Sequence, residues 1–221
     1  MGARLAAGAQ AWRLLLRVFA GRRCAHRCIV ALEDAGFTFK DMIAWEKKNA
    51  PHRAQRLSEI YRRRGDKANA EKWAGWRVAN LRPLFEPILW FQKPYKVGGT
   101  LANNVLDHSV GAWNEAVLSA HDCSDSSCQG IGASNILRIS ADKGDYGLHE
   151  TQKPLKLMEI LISLTTTENS IVLDPFAGSG TTCVVAKNLG RRYIGVEINE
   201  KYAEIARSRL KNLHPQTQML I

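Results

Sequence analysis

Residues 172–181 read "VLDPFAGSGT", an apolar run that meets an acid and a proline and then breaks into small residues. A strand that ends in Asp174 and hands over to Gly178, Ser179 and Gly180 has three readings: a tight turn, a phosphate-binding loop, or a loop that holds a charged small molecule. The flanking sequence chooses among them. "SIVLDPF" reads as a buried strand, and "TTCVVAKNLG" as a helix stopped by Gly190. "RRYIGVEIN" then reads as a second strand and "EKYAEIARSRLKNL" as a second helix. Strand, helix, strand, helix in this order is a βαβα unit, which requires a parallel sheet.

In a parallel sheet, ligands sit beyond the carboxyl ends of the strands, where glycines let backbone approach and the next helix presents free N–H groups. Residues 174–180 occupy that position. They are not a Walker A loop, because no Lys-Ser/Thr pair follows the second glycine. They are not a full GxGxxG either, because Cys183 stands three positions after Gly180. Asp174 would lie close to phosphate oxygens, and an acid suits a cationic ligand better. The second strand ends in Glu197, 23 residues after Asp174, where a carboxylate can accept both ribose hydroxyls of a nucleoside. The two acids together point to a nucleoside that carries positive charge and no phosphate. S-adenosylmethionine meets that description; NAD, with its pyrophosphate, meets it less well.

The 221 residues are enough for one α/β domain or one domain with an inserted region. A hydrophobic content of 45% with 24% charged residues argues against wholesale disorder. Charge is unevenly placed. Residues 1–96 hold 20 Lys and Arg against 8 Asp and Glu, whereas residues 97–221 hold 11 against 13. A basic module facing a polyanion beside a near-neutral one fits this, as does a merely solvated basic surface. The five cysteines are odd in number and lack CxxC spacing; Cys123, Cys128 and nearby His121 make a poor zinc signature, so no metal is expected. No apolar run approaches the ~18 residues of a membrane span. The first 32 residues contain six arginines and no acid, the composition of a transit peptide, but "LLLRVFAGRR" and "CIVALEDAGF" read as strand and helix of a folded domain.

"FTFKDMIAWEKK" and "EPILWFQKPY" read as two further strands. Residues 52–75, rich in Arg and Lys, read as an exposed helix or loop, and residues 98–147 as loop. "KPLKLMEILISLTT" carries a helical stripe at Leu157, Ile160, Leu161 and Leu164.

"DPFAGSGTT" followed by "GVEIN" resembles the cofactor motifs of the amino-group DNA methyltransferases, which modify adenine N6 or cytosine N4. "HETQKP" (149–154) is similar to the methionine-binding motif that precedes the glycine loop in permuted, beta-type members. That order puts the catalytic half first, then target recognition, then cofactor binding. "VFAGRR…ALEDAGF…DMIAWEK", "LRPLFEPILWFQKP" and "GGTLANNVL" extend the likeness backward, the last two toward adenine methylases. The resemblance implies a Rossmann-like S-adenosylmethionine-dependent α/β sheet with an inserted target-recognition region. It divides the chain into a catalytic remnant (1–48), a DNA-binding region (49–147) and a cofactor half (148–221). Phe176, Gly178, Gly180 and Thr181 would shape the cofactor loop, Asp174 would lie near the methionine end, and Glu197 would bind ribose. Ile198 would pack on adenine, and His149, Thr151, Gln152 and Lys153 would hold the methionine carboxylate end. Phe176 and Ile198 have core residues as their plain alternative, and Lys153 a surface charge. Lys47, Lys48, Arg53, Arg56, Arg62, Arg63 and Arg64 would contact phosphates of double-stranded DNA. The implied setting is the cytoplasm of a bacterium, on a bacterial or phage gene, in restriction-modification.

One part of the pattern is absent. Family members hold the target amine with an Asp/Asn/Ser-Pro-Pro-Tyr/Phe motif, whose acceptors draw its lone pair toward the methyl sulfonium while the ring stacks on the flipped base. The prolines are at 51, 83, 87, 94, 154, 175 and 215, and no two adjoin. The permuted order expects the motif before "LLLRVFAGRR", where 13 residues precede Leu14. The reading is therefore of a domain without its start and with no catalytic residue of its own. Its functions are an adenine-N6 methyltransferase by descent, or a non-catalytic remnant that pairs with a second chain or as a homodimer. A nicotinamide oxidoreductase is the third reading, disfavoured by Asp174 and "HETQKP".

Overall fold

The run Ile88–Phe91 holds no polar side chain, the composition of a strand buried on both faces. A computed structural model of the chain describes residues 15–19, 21–50, 54–94, 98–108, 111–122, 134–140 and 152–213. In it β3 (Phe85–Gln92) lies inside a four-stranded sheet, between β1 (Leu15–Phe19) and β2 (Thr38–Glu46), with β4 (Ile136–Arg138) on the far side of β2. β3 is antiparallel to both neighbours, while β2 and β4 are parallel. The carboxyl ends of β1 and β2 therefore point the same way, toward the start of β3.

Side chains alternate across a strand, and β3 feeds two cores. Ile88 and Trp90 join Ile43, Trp45 and Leu137 against helix α6 (Leu155–Ser163). Leu89 and Phe91 face α1 (Ala25–Asp34), packing with Ala25, Phe37 and, at the margin, Ile29 and Leu32. The predicted stripe of α6 is buried in full: Leu157, Ile160, Leu161 and Leu164 are all in the core. The same core takes in Val185 and Ala186 of α7 (Thr181–Asn188) and touches Val172 and Tyr193. One helix thus joins two sheets.

The second sheet is the predicted βαβα unit. β5 (Ile171–Asp174) and β6 (Arg192–Gly195) pair in parallel, with Asp174 level with Gly195, and α8 (Glu200–Lys211) follows. It differs from the sequence reading in one respect. β5 was expected to be buried, yet Ile171 is 55% exposed and Leu173 41%. Among the described residues only the Val172–Tyr193 face meets helices, and the side chains of the opposite face, with Ile194 of β6, are exposed. Among the described residues β5 pairs with β6 alone, so a sequence that expects two covered faces finds one.

Two further expectations change. The stretch 98–147 is not all loop: it holds α4 (Leu101–His108), α5 (Glu115–Asp122) and β4. Thr100 caps α4, its hydroxyl accepting from the Asn103 backbone N–H at 3.1 Å while Asn103 Oδ1 accepts from Thr100 N–H at 3.1 Å, a local signal that composition masks. The helix alternative for residues 52–75 is the one found, as two short helices, α2 (Leu57–Arg63) and α3 (Lys67–Lys72). Finally, β3 and β4 complete the sheet begun by β1 and β2, so a boundary at residue 49 cuts through one sheet.

Candidate functional site

The loop after β5 is built by its own acids. Asp174 Oδ1 accepts from Phe176 N–H at 3.0 Å, and Oδ2 accepts from the Thr182 hydroxyl at 2.5 Å. One carboxylate therefore ties the end of β5 to both the turn and the first turn of α7. Glu197 does the same from the other strand: Oε2 accepts from Gly178 N–H at 2.8 Å and Oε1 from Asn199 N–H at 2.8 Å. Asn199 in turn caps α8 by accepting from Lys201 N–H. Backbone bonds Val196 N–H to Asp174 O and Ala177 N–H to Val196 O draw the loop alongside the end of β6. Both predicted acids are thus brought to the carboxyl ends of neighbouring strands, oriented before any ligand arrives.

The glycines serve packing as well as space. Gly180 sits at φ +80°, and a Cβ there would lie 2.7 Å from the Ala206 Cβ of α8. A Cβ on Gly195 would lie 2.8 Å from Cys183 Sγ. So α8 backs the loop, and α7 lies directly on β6. Arg209, also on α8, donates to Ser179 O at 2.7 Å, to Ser179 Oγ at 3.3 Å and to Thr181 Oγ1 at 3.2 Å. Ser179 and Thr181 are buried. Sequence reading missed this brace; its signal is the spacing of Ala206 and Arg209, which puts both on one helix face. Burial, helped by the Asp174 charge, pushes the Cys183 thiol up to about 11, so it stays protonated.

Phe176 and Ile198, whose alternative was a core role, are on the surface. Phe176 is 74% exposed and Ile198 fully so, each within two residues of a loop acid. Apolar side chains displayed beside two oriented carboxylates suit a ligand with a flat apolar part and hydroxyl or cationic donors.

A second constellation lies at the carboxyl ends of β1 and β2. Lys153 Nζ donates to Glu86 Oε2 at 2.6 Å and stands 4.8 Å from the Phe19 ring centre and 5.4 Å from that of Trp45. Lys47 donates to the other Glu86 oxygen and lies 4.7 Å over Trp45. Burial works to raise the Glu86 carboxyl, but bonds and charge from Lys153 and Lys47 outweigh it and hold it below the usual carboxylate range. Lys153 is therefore not a plain surface charge, and Lys47 is engaged within the fold, apart from the exposed arginines. Next to Lys153, both amide atoms of Gln152 are buried with no hydrogen-bond partner. A buried orphan amide costs free energy unless something completes it, so Gln152 fits a site whose ligand supplies a polar end.

Arg56, Arg62, Arg63, Arg64 and Lys48 are all exposed, as phosphate contacts must be. His149, Thr151, Arg53, Cys123 and Cys128 lie outside the described residues. Among the described residues no His, Cys, Asp and Glu group could hold a metal, and no helix is long and apolar enough to cross a membrane.

The DNA methylase family model for N6 and N4 enzymes matches residues 14–208. Over 193 residues the chain is 59% identical to the Type II methyltransferase M.HindIII of Haemophilus influenzae, covering 87% of this chain and 62% of that protein. It is 55% identical over 65 residues to the Type II methyltransferase M2.DpnII of Streptococcus pneumoniae, covering 29% of this chain and 24% of that one. The chain thus spans under two thirds of the curated relatives it matches. Among solved structures, the M1.HpyAVI–SAM complex is 28% identical with a TM-score of 0.59, over 95% of this chain and 80% of that one. The PvuII cytosine-N4-specific DNA methyltransferase, 15% identical with a TM-score of 0.57 over 90% of this chain and 64% of that one, shares the fold. The chain belongs to the DNA methylase family.

Proposed function

We propose that this chain binds S-adenosylmethionine at the carboxyl ends of β5 and β6 and is the cofactor- and DNA-holding part of a DNA amino-methyltransferase acting on adenine N6. The observation that carries the reading is the pair Asp174 and Glu197, fixed at adjacent strand ends and flanked by exposed Phe176 and Ile198. Glu197 accepts the ribose hydroxyls, Asp174 stands near the cationic methionine end, and Phe176 and Ile198 flank the adenine. Gly178, Gly180 and Thr181 form the loop beneath. Gln152 and Lys153, with His149 and Thr151, receive the carboxylate end. When bound, the cofactor supplies an electrophilic methyl on a sulfonium. The residues named here bind and orient it; none of them accepts the amine hydrogens. Lys48, Arg56, Arg62, Arg63 and Arg64, with Arg53, hold DNA phosphates, while Lys47 is taken up by Glu86 and Trp45. A role on DNA fits the cytoplasm of a bacterium. The choice of adenine rests on likeness in "FEPILWFQKP" and "GGTLANNVL".

Calorimetric titration of the full chain with S-adenosylmethionine tests the site. Glu197→Ala removes a charge-assisted acceptor worth about 1.5–3 kcal/mol, so affinity should fall about tenfold or more. Unchanged affinity rejects the site.

A second reading concerns the missing acceptor. No Asp-Pro-Pro-Tyr run occurs in the sequence, and methyl transfer is sensitive to placement, about 100-fold for ~1 Å. The chain alone is expected to leave DNA unlabelled by methyl-labelled cofactor. The exposed Ile171–Leu173–Ile194 face and the edge of β5, which pairs with no further strand among the described residues, favour a second polypeptide that supplies the acceptors there.

A further inference from the structure

Residues 54–78 form a helical hairpin with its own closure. Leu57 N–H donates to Trp76 O at 3.0 Å and Val78 N–H to Gln55 O at 2.9 Å, with Arg56 opposite Arg77, so two short backbone stretches make a neck. Above it α2 and α3 pack on one another through small residues: Ala54, Ser58 and Ala70 are its buried side chains. Asp66 caps α3, accepting from Asn69 N–H at 3.0 Å. Besides half-buried Tyr61, the hairpin carries two tryptophans that this small-residue interior does not fully take in. Trp73 and Trp76 meet edge to face at 5.4 Å, and Trp76 remains 61% exposed. Lys72 stands 5.9 Å from the Trp73 ring.

The ring's setting is basic. Arg56, Arg62, Arg63, Arg64, Lys67, Lys72 and Arg77 are all exposed, against the acids Glu59, Asp66 and Glu71. Indole is a large apolar surface with a π face, seldom left in water without a use. An apolar protein partner gains nothing from seven cations around its contact. A nucleic acid uses both features, since phosphates take the cations and a base takes the ring.

We propose that this hairpin is a DNA-contact module in which Trp76 stacks on a base unstacked from the duplex while the surrounding Arg and Lys side chains hold phosphates. The proposal rests on the reading that the chain binds DNA. It adds the residue that touches a base, which the arginines do not identify.

The test uses the full chain and a mixed-sequence duplex carrying one mismatched 2-aminopurine. Affinity is measured over a range of salt, with 2-aminopurine fluorescence as a stacking signal. Trp76→Ala should weaken binding about tenfold at every salt concentration, leave the slope of log K against log salt unchanged, and abolish the fluorescence change. Trp76→Phe should keep most of both. Arg62→Ala and Arg63→Ala should each lower the slope by about 0.9 and keep the fluorescence change. The proposal is overturned if Trp76→Ala binds as the parent does. It is equally overturned if that variant lowers the slope as the arginine variants do, since the indole would then act by supporting the hairpin. A change in sedimentation without a change in DNA affinity would make Trp76 a protein contact and overturn it too. If the parent itself binds no DNA, the underlying reading fails with the proposal; if the parent binds DNA and Trp76→Ala binds equally well, the proposal fails alone.

Discussion

The two sheets of this molecule are held in different ways. In the four-stranded sheet the central strand is buried on both faces: α1 covers one side of β3 and α6 the other, and Ile88, Leu89 and Phe91 have no exposed surface. Among the described residues the β5–β6 sheet is covered on one face and exposed on the other, and its order comes from hydrogen-bonded carboxylates and close glycine contacts. A βαβ sheet with one bare apolar face is unusual, because parallel sheets are ordinarily covered on both sides. The lesson is that apolar strand composition reports what a strand is built to meet, and it does not say what meets it.

The largest expected effect breaks the first sheet. Phe91→Ala deletes a fully buried ring that packs edge-on against Phe39 at 5.4 Å. Such a deletion costs about 3–5 kcal/mol, which should show as a large drop in the urea midpoint at unchanged slope. A loss below ~1 kcal/mol would mean that the α1 side of β3 is not a packed core.

Next comes the glycine contact of the second sheet. Gly180→Ala places a methyl 2.7 Å from the Ala206 Cβ at a φ of +80°. Overpacking costs about 1–3 kcal/mol, and the left-handed backbone adds about 1–2 kcal/mol. Combining it with Ala206→Gly should recover the packing part and leave the backbone part. S-adenosylmethionine affinity should fall in the single variant and return in part in the double. A double variant no better than the single would remove α8 as the support of the loop.

These contacts mark where sequence reading stopped. The βαβα unit was legible because its period changes cleanly from strand to helix and glycines punctuate it. Asp174 and Glu197 were legible because their positions at strand ends follow from that period. The Arg209 brace was not, since it joins residues 28 and 30 apart in sequence through the way α8 lies on the loop. Nor was the Lys47–Glu86–Lys153 cluster, whose members come from three separate segments. β4, three residues long, and α4 were hidden by polar composition. The open face of β5 could not be read at all: "IVLD" is the same whether or not a neighbour is present.

A smaller effect reads the electrostatics at the end of the first sheet. The Glu86 carboxyl is held below its ordinary pKa in the folded chain. Its contribution is present above the unfolded-state pKa of about 4.3 and is lost as pH falls through the lower folded value. Glu86→Gln should therefore cost about 1–2 kcal/mol at neutral pH and little once acid has protonated the parent carboxylate. Unfolding measured at neutral and acid pH should show the two proteins converging. A gap that persists in strong acid would mean that Glu86 acts through packing and not through its charge.

The smallest expected effect on the chain alone is the most telling for the comparison. Leu173 points to the open face, so Leu173→Lys removes little buried surface and should cost under ~1 kcal/mol, a fraction of the Phe91→Ala loss. Its consequence should appear on adding a second polypeptide, for which the part of M.HindIII outside the matched 193 residues is the natural probe. If that polypeptide covers the open face, the parent chain should form a one-to-one complex. Mixed with labelled S-adenosylmethionine and duplex DNA, the complex should yield N6-methyladenine. The lysine would have to be buried, unpaired, among Ile171 and Ile194, and burying an uncompensated charge is costly enough to prevent association. A Leu173→Lys chain that associates and methylates as well as the parent would show that the face stays in water. The second reading would then fall, while the cofactor site, measured by titration without the partner, would stand or fall on Glu197.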